Sequence, residues 1–513
     1  MKSFVEALAG QLALVLAGSG ALRAARVVKP MSLANLFKAG GLAYLVGVAL
    51  TMQTCVLALV LGVPFGLVTF GVVCLICGMP LLLDVRPLMR HRQWAWPDRW
   101  RRPSLPRRLT SEQTIVVVAA AGFAVLALIG LITLGNRPIL PGDYDAWNTW
   151  TRKAGLMFLE PHLPLAVLGS PASGFVHPDY PLVLSLLEAL HLRALHRYEL
   201  SSVHTVLWTL GIAFVWAGIY LGSRVVRPAL CLLLFPGVFM LTVVQLLTAY
   251  ADVPMAFFLG LGTLALGLWL ESARRPDLAL AMMLFAGAAG MKNEGLVGAV
   301  VVIGAGIVVL ACYRRFIRAG ELAVGGLAMG VFAILPWHIW LLAHHLKGDI
   351  PFPGGFSPSY LIDRFSRLGP GLTGLYDQLT NVQTIAIAVP IALAVVLVRI
   401  WRREWSPLLW FYLLAGLLYF VALCWAYWAN PGNLGFLITT SANRVYVGLA
   451  FIAVVAILHV GLPAPSSAAP PAEGSVGRHS NAELASFLDR GEIQRLEPPE
   501  SATRGIRRRR TES

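Results

Sequence analysis

Charged residues are scarce in this chain of 513 residues, since only 13% of positions are Asp, Glu, Lys or Arg whereas 57% are hydrophobic. So few charges exclude a soluble globular protein of this size. The apolar residues come in long continuous runs rather than in alternation with polar residues, which excludes a membrane β-barrel. The sequence therefore predicts an all-α polytopic membrane protein.

Acidic residues are especially few, with 26 Asp and Glu against 41 Lys and Arg, and the formal net charge is +15. In loops beside membrane spans, excess arginine indicates orientation and contact with anionic membrane lipids, so no nucleic-acid partner is predicted. The six cysteines lie in or at the ends of apolar runs, which favours neither a disulfide framework nor a zinc site. Internal repeats of the kind that build most secondary transporters are also lacking.

Apolar runs long enough to cross a bilayer recur along the chain. They predict about twelve transmembrane helices, or thirteen if residues 7–22 also cross. The twelve are 40–61, 66–83, 114–135, 204–223, 229–249, 254–271, 277–291, 295–312, 322–343, 382–400, 407–427 and 444–462.

Loops rich in arginine alternate with loops that are longer or poorer in positive charge. The positive-inside rule places the arginine-rich loops in the cytoplasm. It therefore predicts an extracytoplasmic loop 136–203 and a cytoplasmic C-terminus. We expect a multi-pass protein of the plasma (inner) membrane. Composition divides the chain into N-terminal membrane segments 1–85, a basic cytoplasmic loop 86–112, a transmembrane core 113–462 and a disordered cytoplasmic tail 463–513.

An acidic pair, Asp143 and Asp145, follows directly after the run 114–135, so both carboxylates are expected where the chain leaves the membrane. The residues after the pair have the spacing of an amphipathic helix. Its apolar face is Trp147, Trp150, Ala154, Met157 and Phe158, and its polar face is Asn148, Thr149, Thr151, Arg152 and Lys153. Such a helix is expected to lie flat in the membrane interface. The short apolar piece 182–195 predicts a second surface helix.

Two further polar clusters fall on the same predicted side of the membrane. His177 and Asp179 lie in the segment His-Pro-Asp-Tyr-Pro, where His177 is either a solvated turn residue or a phosphate ligand. Asp252 is placed to cap the N-terminus of the next span, with Pro254 in its first turn, and capping is compatible with a role in a site.

Lys292, Glu294 and Arg444 complete the set of candidate residues. The apolar run before Lys292 is too short to cross the hydrocarbon core, so Lys292 and Glu294 are expected below the membrane surface. Charges at that depth face a polar cavity or one another, and a plain Lys–Glu pair is the alternative. Arg444, at the predicted start of the last span, either extends to the lipid headgroups or binds a ligand.

Together these residues offer carboxylates and cations on one face of the membrane. Transfer of a sugar from a polyprenyl phosphate needs both, because a carboxylate takes the proton of the acceptor hydroxyl and cations stabilise the departing phosphate. The arrangement resembles the GT-C superfamily of integral membrane glycosyltransferases. The nearest branches are the lipid A aminoarabinose transferases, the protein O-mannosyltransferases and the lipopolysaccharide-core transferases. Five motifs, each weak alone, carry the resemblance in order over residues 113–462. They are Asp143-Tyr-Asp145, His177-Pro-Asp-Tyr-Pro181, Tyr250-Ala-Asp252 with Pro254, Met291-Lys292 and Thr440-Ser-Ala-Asn-Arg444.

The resemblance implies a GT-C-like helical bundle with juxtamembrane helices on its outer face. It also implies a polyprenyl-phosphate sugar donor, an extracytoplasmic lipid, glycan or protein acceptor, and inversion at the anomeric carbon. Asp143 or Asp145 would be the general base; Tyr144 separates them where many members have adjacent acids, so both stay candidates. Some relatives use a divalent metal, and Asp143, Asp145 and Asp252 are the candidate ligands for Mg²⁺ or Mn²⁺. The competing function is a transporter or flippase of lipid-linked intermediates.

Overall fold

The described part of the chain is helical. The computed structural model describes residues 2–28, 33–82, 111–135, 137–140, 142–170, 177–346, 355–378 and 385–462. The predicted basic loop 86–112 (apart from its last two residues) and the tail 463–513 lie outside these ranges. No strand occurs in the described ranges, and Met1–Ala464 forms one compact unit.

The helices of the first half are α1 (Lys2–Ala24), α2 (Leu33–Lys38), α3 (Gly40–Val60), α4 (Leu67–Gly78), α5 (Ser111–Leu134), α6 (Thr151–Leu159), α7 (Leu165–Leu168), α8 (Val183–Leu195), α9 (Val203–Gly222) and α10 (Pro228–Leu246). Those of the second half are α11 (Asp252–Ser272), α12 (Arg275–Met291), α13 (Asn293–Cys312), α14 (Phe316–Ala333), α15 (Leu335–Ala343), α16 (Pro358–Asp363), α17 (Leu368–Gln378), α18 (Ala388–Trp401), α19 (Pro407–Ala429) and α20 (Leu434–Ala456). A π-helical turn, Ala146–Trp150, leads into α6, and another, Ile457–Gly461, follows α20.

The predicted all-α membrane architecture is confirmed. Within the described ranges, ten helices are long and apolar enough to cross a membrane, and each overlaps a span that the sequence predicts. Among them is Val5–Ala24, the segment whose crossing the sequence left open. The predicted spans 66–83, 277–291 and 382–400 correspond to helices too short to be among the ten. The predicted span 322–343 is wrong in detail, because the helix breaks at Ile334, just before Pro336. A proline inside a helix removes a hydrogen bond and clashes with the preceding turn.

Helix α11 forms the centre of the bundle, and the whole of its apolar stretch is buried by protein. Phe257 of this helix stacks on Phe214 of α9 with ring centroids 4.3 Å apart, and Phe451 of α20 packs edge-on against both. Glycines permit close approach elsewhere in the bundle: a Cβ on Gly18 of α1 would lie 1.8 Å from the Ala43 carbonyl oxygen of α3. Small residues at helix crossings replace the hydrophobic driving force that lipid surroundings remove.

Contacts between the connections sort the helix ends into two sets. At one end, the Arg444 guanidinium of α20 donates to Asp145 at 2.6 Å, and Tyr360 donates to the carbonyl of Ala429. We call this the Asp145 end. At the other, Arg224 after α9 donates two hydrogen bonds, of 2.8 and 2.9 Å, to Asp277 of α12. We call this the Arg224 end. Loops that the charge alternation assigns to one side of a membrane therefore meet at one end of the bundle.

The two helices that were expected on the surface are covered by protein instead. In the π-helical turn and α6, Trp150, Ala154 and Met157 are buried as expected, but so are Thr149, Thr151 and Lys153 of the face predicted to be solvated. Trp147 of the predicted apolar face is instead 41% exposed. The Lys153 ammonium donates to the carbonyls of His177 and Tyr180, both at 2.8 Å, and to that of Pro178 at 3.3 Å. The turn 177–180 thus covers the polar face of α6. Nearly all of α8 is buried as well, because α1, α3, α6 and α9 surround it.

Burial of α8 places a carboxyl group in apolar surroundings. Glu188 is fully buried, and neither carboxylate oxygen has a hydrogen-bond partner within the described part of the chain. Burial raises the pKa of Glu188 to about 8. His191, one turn further along, has its pKa lowered to about 4 by burial. Each group therefore prefers its neutral form in the folded protein.

We expect Glu188→Gln to remove a loss of stability at alkaline pH. A carboxyl whose folded pKa is raised stabilises the fold below its unfolded pKa and loses that contribution as pH rises through about 8. Above pH 6.5, the ordinary pKa of histidine, His191 is neutral in both states and adds no slope. Between pH 6.5 and 8.5 the wild type should therefore lose about 2 kcal/mol that the variant keeps. Thermal unfolding at several pH values measures this, with Glu160→Gln, an exposed carboxyl, as control. Equal pH slopes in all three proteins would contradict it.

Candidate active site

The acidic pair lies in a turn between α5 and the π-helical turn 146–150. Asp143 is half-buried, and its carboxylate accepts a hydrogen bond of 3.2 Å from the Leu140 backbone N–H. It has no ion-pair partner within the described residues. Burial raises the pKa of Asp143, against the opposing effects of the Leu140 hydrogen bond and the charges of Arg137 and His204. Asp143 therefore combines an accessible carboxylate with increased basicity, which are the properties of a general base.

Asp145 is engaged differently, because it forms an ion pair with Arg444. The Arg444 side chain is 16% exposed and lies over the ring of Tyr250, with 4.4 Å between the guanidinium carbon and the ring centroid. Its Nε donates to the Thr440 carbonyl of its own helix at 3.0 Å. These contacts fix the plane of the guanidinium. Its Nη2 makes no hydrogen bond with any described residue and can donate to a ligand.

The sequence predicted Arg444 at the start of the last helix, and this prediction is wrong. The helix starts at Leu434, capped by the Asn433 side chain, which accepts the Phe436 N–H at 3.1 Å. Arg444 is therefore about three turns inside α20. A position within the helix, stacked on Tyr250 and paired with Asp145, is incompatible with a side chain that extends to the lipid headgroups. The pairing of Arg444 with Asp145 was not among the predicted alternatives, and the ligand role stays a prediction.

Lys292 lies at a sharp turn between α12 and α13. Its backbone is extended, with φ −158° and ψ 153°, between two helices that end and begin at the adjacent residues. The turn brings the helices so close that a Cβ on Gly295 would lie 2.0 Å from the Ala288 carbonyl oxygen. The Lys292 ammonium pairs with Asp252 at 2.8 Å and with Glu294 at 2.9 Å. The predicted Lys–Glu pair exists, but the more deeply buried partner is Asp252.

Several polar atoms around Lys292 are buried and have no hydrogen-bond partner among the described residues. They are Oδ2 of Asp252, Oε2 of Glu294 and the hydroxyl of Tyr419. Unpaired buried polar atoms cost free energy, roughly 1–3 kcal/mol each, and in a native protein they indicate a ligand or water. Two of the three are carboxylate oxygens that can only accept. The site therefore favours a ligand that carries hydrogen-bond donors.

His177 and Asp179 support the site from the side. Asp179 is buried, its carboxylate accepts a hydrogen bond of 2.9 Å from the Asn293 amide, and its carbonyl accepts one of 2.8 Å from the Trp337 indole. The His177 ring stacks on Tyr180 with 4.5 Å between centroids. Asp179 is thus linked to the turn at Lys292 through Asn293, the residue that follows Lys292.

Sequence reasoning missed three contributors. Tyr250, which the sequence places in the Tyr-Ala-Asp252 motif without a role of its own, lies beneath Arg444. Tyr419, beside the Asp252 and Glu294 carboxylates, lies in an apolar run where nothing in the sequence separates it from core residues. Lys153 was assigned to solvent but holds the turn 177–180 in place. A signal for Lys153 existed, since a lysine among small and apolar residues needs a local acceptor.

Asp143, Asp145 and Asp252 were named as possible ligands of a divalent metal. Within the described ranges, no three or more His, Cys, Asp or Glu side chains converge in a group that could hold a metal ion. Asp145 and Asp252 are instead paired with separate cations, Arg444 and Lys292. Metal dependence therefore stays a prediction for experiment.

Comparisons with known proteins add no assignment. No protein-family model, curated protein or solved structure matches the chain. The functional argument therefore rests on the geometry of the site.

Proposed function

We propose that this protein is a membrane glycosyltransferase that moves a sugar from a polyprenyl-phosphate donor to a lipid, glycan or protein acceptor at the Asp145 end of the bundle. The observation that carries the proposal is the contrast between two neighbouring carboxylates. Asp143 has no ion-pair partner within the described residues and a raised pKa, whereas Asp145 is held by Arg444 at 2.6 Å. The proposed base, Asp143, is thus two residues from the carboxylate that holds a fixed cation, and the reaction uses both a base and a cation.

The site's spare hydrogen-bonding atoms support a sugar as the ligand. Asp252 and Glu294 each leave one buried carboxylate oxygen unpaired, and these oxygens can accept hydrogen bonds from sugar hydroxyls. A ligand that is only a phosphate offers no such donors when fully ionised. The combination of hydroxyl-accepting oxygens with Lys292 and Arg444 fits a molecule with both a sugar and a phosphate.

The proposed step is a single displacement. Asp143 takes the proton of the acceptor hydroxyl as its oxygen attacks the anomeric carbon, and the bond between that carbon and the phosphate oxygen breaks. The bonding electron pair leaves with the phosphate, whose charge Arg444 and Lys292 stabilise. Attack from the face opposite the leaving group inverts the anomeric carbon. Asp145 acts by positioning Arg444.

The same proposal places the Asp145 end outside the cytoplasm and the Arg224 end, with the C-terminus, inside it. Its support is the positive-inside rule, since the arginine-rich connections collect at the Arg224 end. We expect an impermeant thiol reagent applied to intact cells to label a His162→Cys variant but not the native Cys312. Both positions are exposed, and Cys312 ends α13 far from the acidic pair. Labelling of Cys312 without labelling of position 162 would reverse the orientation.

Mass analysis of cell-envelope glycans and lipids, with and without the protein, tests the proposed activity directly. We expect one glycan or lipid to lose a sugar when the protein is absent or carries Asp143→Asn. The purified protein should release polyprenyl phosphate from the matching donor. A lipid-linked sugar that crosses the membrane but is never consumed would instead establish the transporter function. An unchanged envelope, with no donor consumed, would overturn the proposal.

A further inference from the structure

A cavity lined by basic side chains lies at the Arg224 end of the bundle, away from the candidate active site. Its volume is about 460 Å³, within the range of roughly 300–1,000 Å³ that ligand pockets occupy. Its cationic lining residues come from separate segments of the chain: Arg23, Arg26, Lys38, Arg224 and Arg274. Because these segments are far apart in the sequence, it is the packing of the helices that brings their charges together.

The cavity has a large excess of positive charge. No carboxylate of the described residues lines it, and the neighbouring acid, Asp277, is 2% exposed and already bound by Arg224. The other acids at this end also have basic partners, since Glu321 pairs with Arg275 and Glu271 with His459. Among the described residues Arg26, Lys38 and Arg274 have no acidic partner, so their positive charges repel one another unless an anion enters the cavity. The arrangement therefore favours a negatively charged ligand.

The cavity lies at the level where membrane spans end. Arg23 is in the last turn of α1, Lys38 precedes α3 by two residues, and Arg224 and Arg274 follow the ends of α9 and α11 by two residues each. Tyr220, an aromatic residue of the type that favours the membrane interface, also lines it. Basic pockets between spans at this depth meet lipid headgroups.

We propose that this cavity binds the phosphate-bearing headgroup of an anionic membrane lipid. Arginine donates in a planar fork that matches two phosphate oxygens, and three separate segments supply arginines without an acid in the lining. Val27 and Val28 also line the cavity and offer apolar surface that acyl chains could contact. The N-terminal helices α1 and α2 would thereby contribute a lipid site to the bundle. The inference does not rest on the proposed sugar transfer.

The test uses the full-length protein in detergent, and native mass spectrometry counts the lipids that it retains. The variant Arg23→Gln/Arg26→Gln/Arg274→Gln leaves the Arg224–Asp277 pair intact. The control Arg315→Gln/Arg402→Gln/Arg403→Gln removes the same charge from exposed positions at the same end. Since each interfacial cation contributes about 1 kcal/mol, we expect the first triple variant to bind phosphatidylglycerol about a hundredfold more weakly. The control should stay within about twofold of wild type, and phosphatidylcholine should bind none of the proteins well.

Two outcomes would overturn the inference. Equal loss in the two triple variants would mean that surface charge in general, and not this cavity, attracts the lipid. Full displacement of the lipid by soluble glycerophosphate at equal concentration would assign the cavity to a free phosphate compound. The single variant Lys38→Gln, at an exposed position, keeps the test valid if the triple variant does not fold; unchanged lipid retention in it would count against the site.

Discussion

Replacing Asp143 by asparagine is expected to lower the rate of sugar transfer at least about a hundredfold, because removal of a general base typically costs 10²–10⁴ in rate. Asparagine keeps the size of the side chain and its acceptor oxygen for the Leu140 N–H, and Asp143 has no ion pair to lose among the described residues. The melting temperature should therefore hardly change. The rate is measured as polyprenyl phosphate released from the donor.

The pH profile gives a second readout of the same residue. Because burial raises the pKa of Asp143, the wild-type rate should climb through a pH range above that of an ordinary aspartate as the carboxylate deprotonates. The residual rate of the variant should lack that climb.

Asp145→Asn is the matched control for Asp143→Asn. It removes the charge that holds Arg444, so it should weaken donor binding and lower stability, with a smaller direct effect on the chemical step. The two variants thus distinguish a base from a positioning residue. A near-normal rate in Asp143→Asn together with an inactive Asp145→Asn would transfer the role of base to Asp145.

Lys292→Met is expected to destabilise the fold by about 3–5 kcal/mol, because it leaves the buried carboxylate of Asp252 without its cation. Asp252 is 1% exposed at its side chain and Glu294 is 22% exposed, so the loss of the Asp252 partner should dominate. The control is Arg275→Met, which breaks the exposed ion pair between Arg275 and Glu321. This substitution should lower the stability by less than about 1 kcal/mol. Thermal unfolding in detergent compares the two.

Double variants separate the structural role of Lys292 from a role in donor binding. Lys292→Met/Asp252→Asn should recover most of the lost stability, and Lys292→Met/Glu294→Gln should recover less, because Glu294 is nearer to solvent. If Lys292 also binds the donor phosphate, neither double variant regains transfer. Recovery of both stability and transfer in the double variant with Asp252→Asn would remove Lys292 from the site and leave it a structural ion pair.

The helical segments could be predicted accurately because hydropathy is a property of consecutive residues. A run of about 20 apolar residues must bury its backbone polar groups in its own hydrogen bonds to enter a membrane, whatever its neighbours are. The predictions of exposure for α6 and α8 were wrong because contacts with distant parts of the chain bury residues that the local sequence pattern assigns to solvent. The polar face of α6 was assigned to solvent, but the turn 177–180 supplies three carbonyls to Lys153. The short α8 was assigned to the surface, but neighbouring helices enclose it, among them α1, α3, α6 and α9.

The sequence by itself determined the all-α class, the approximate positions of most apolar helices and the small set of polar residues that could form a site. Only the tertiary structure decided the partners within that set. Arg444 pairs with Asp145 across 299 positions of sequence, and Lys292 pairs with Asp252 across 40. The physical reason is that an ion pair depends on which helix ends meet, and helix crossings are set by side-chain packing along whole helices. The structure was therefore needed to show that Asp145 has an ion-pair partner whereas Asp143 has none among the described residues.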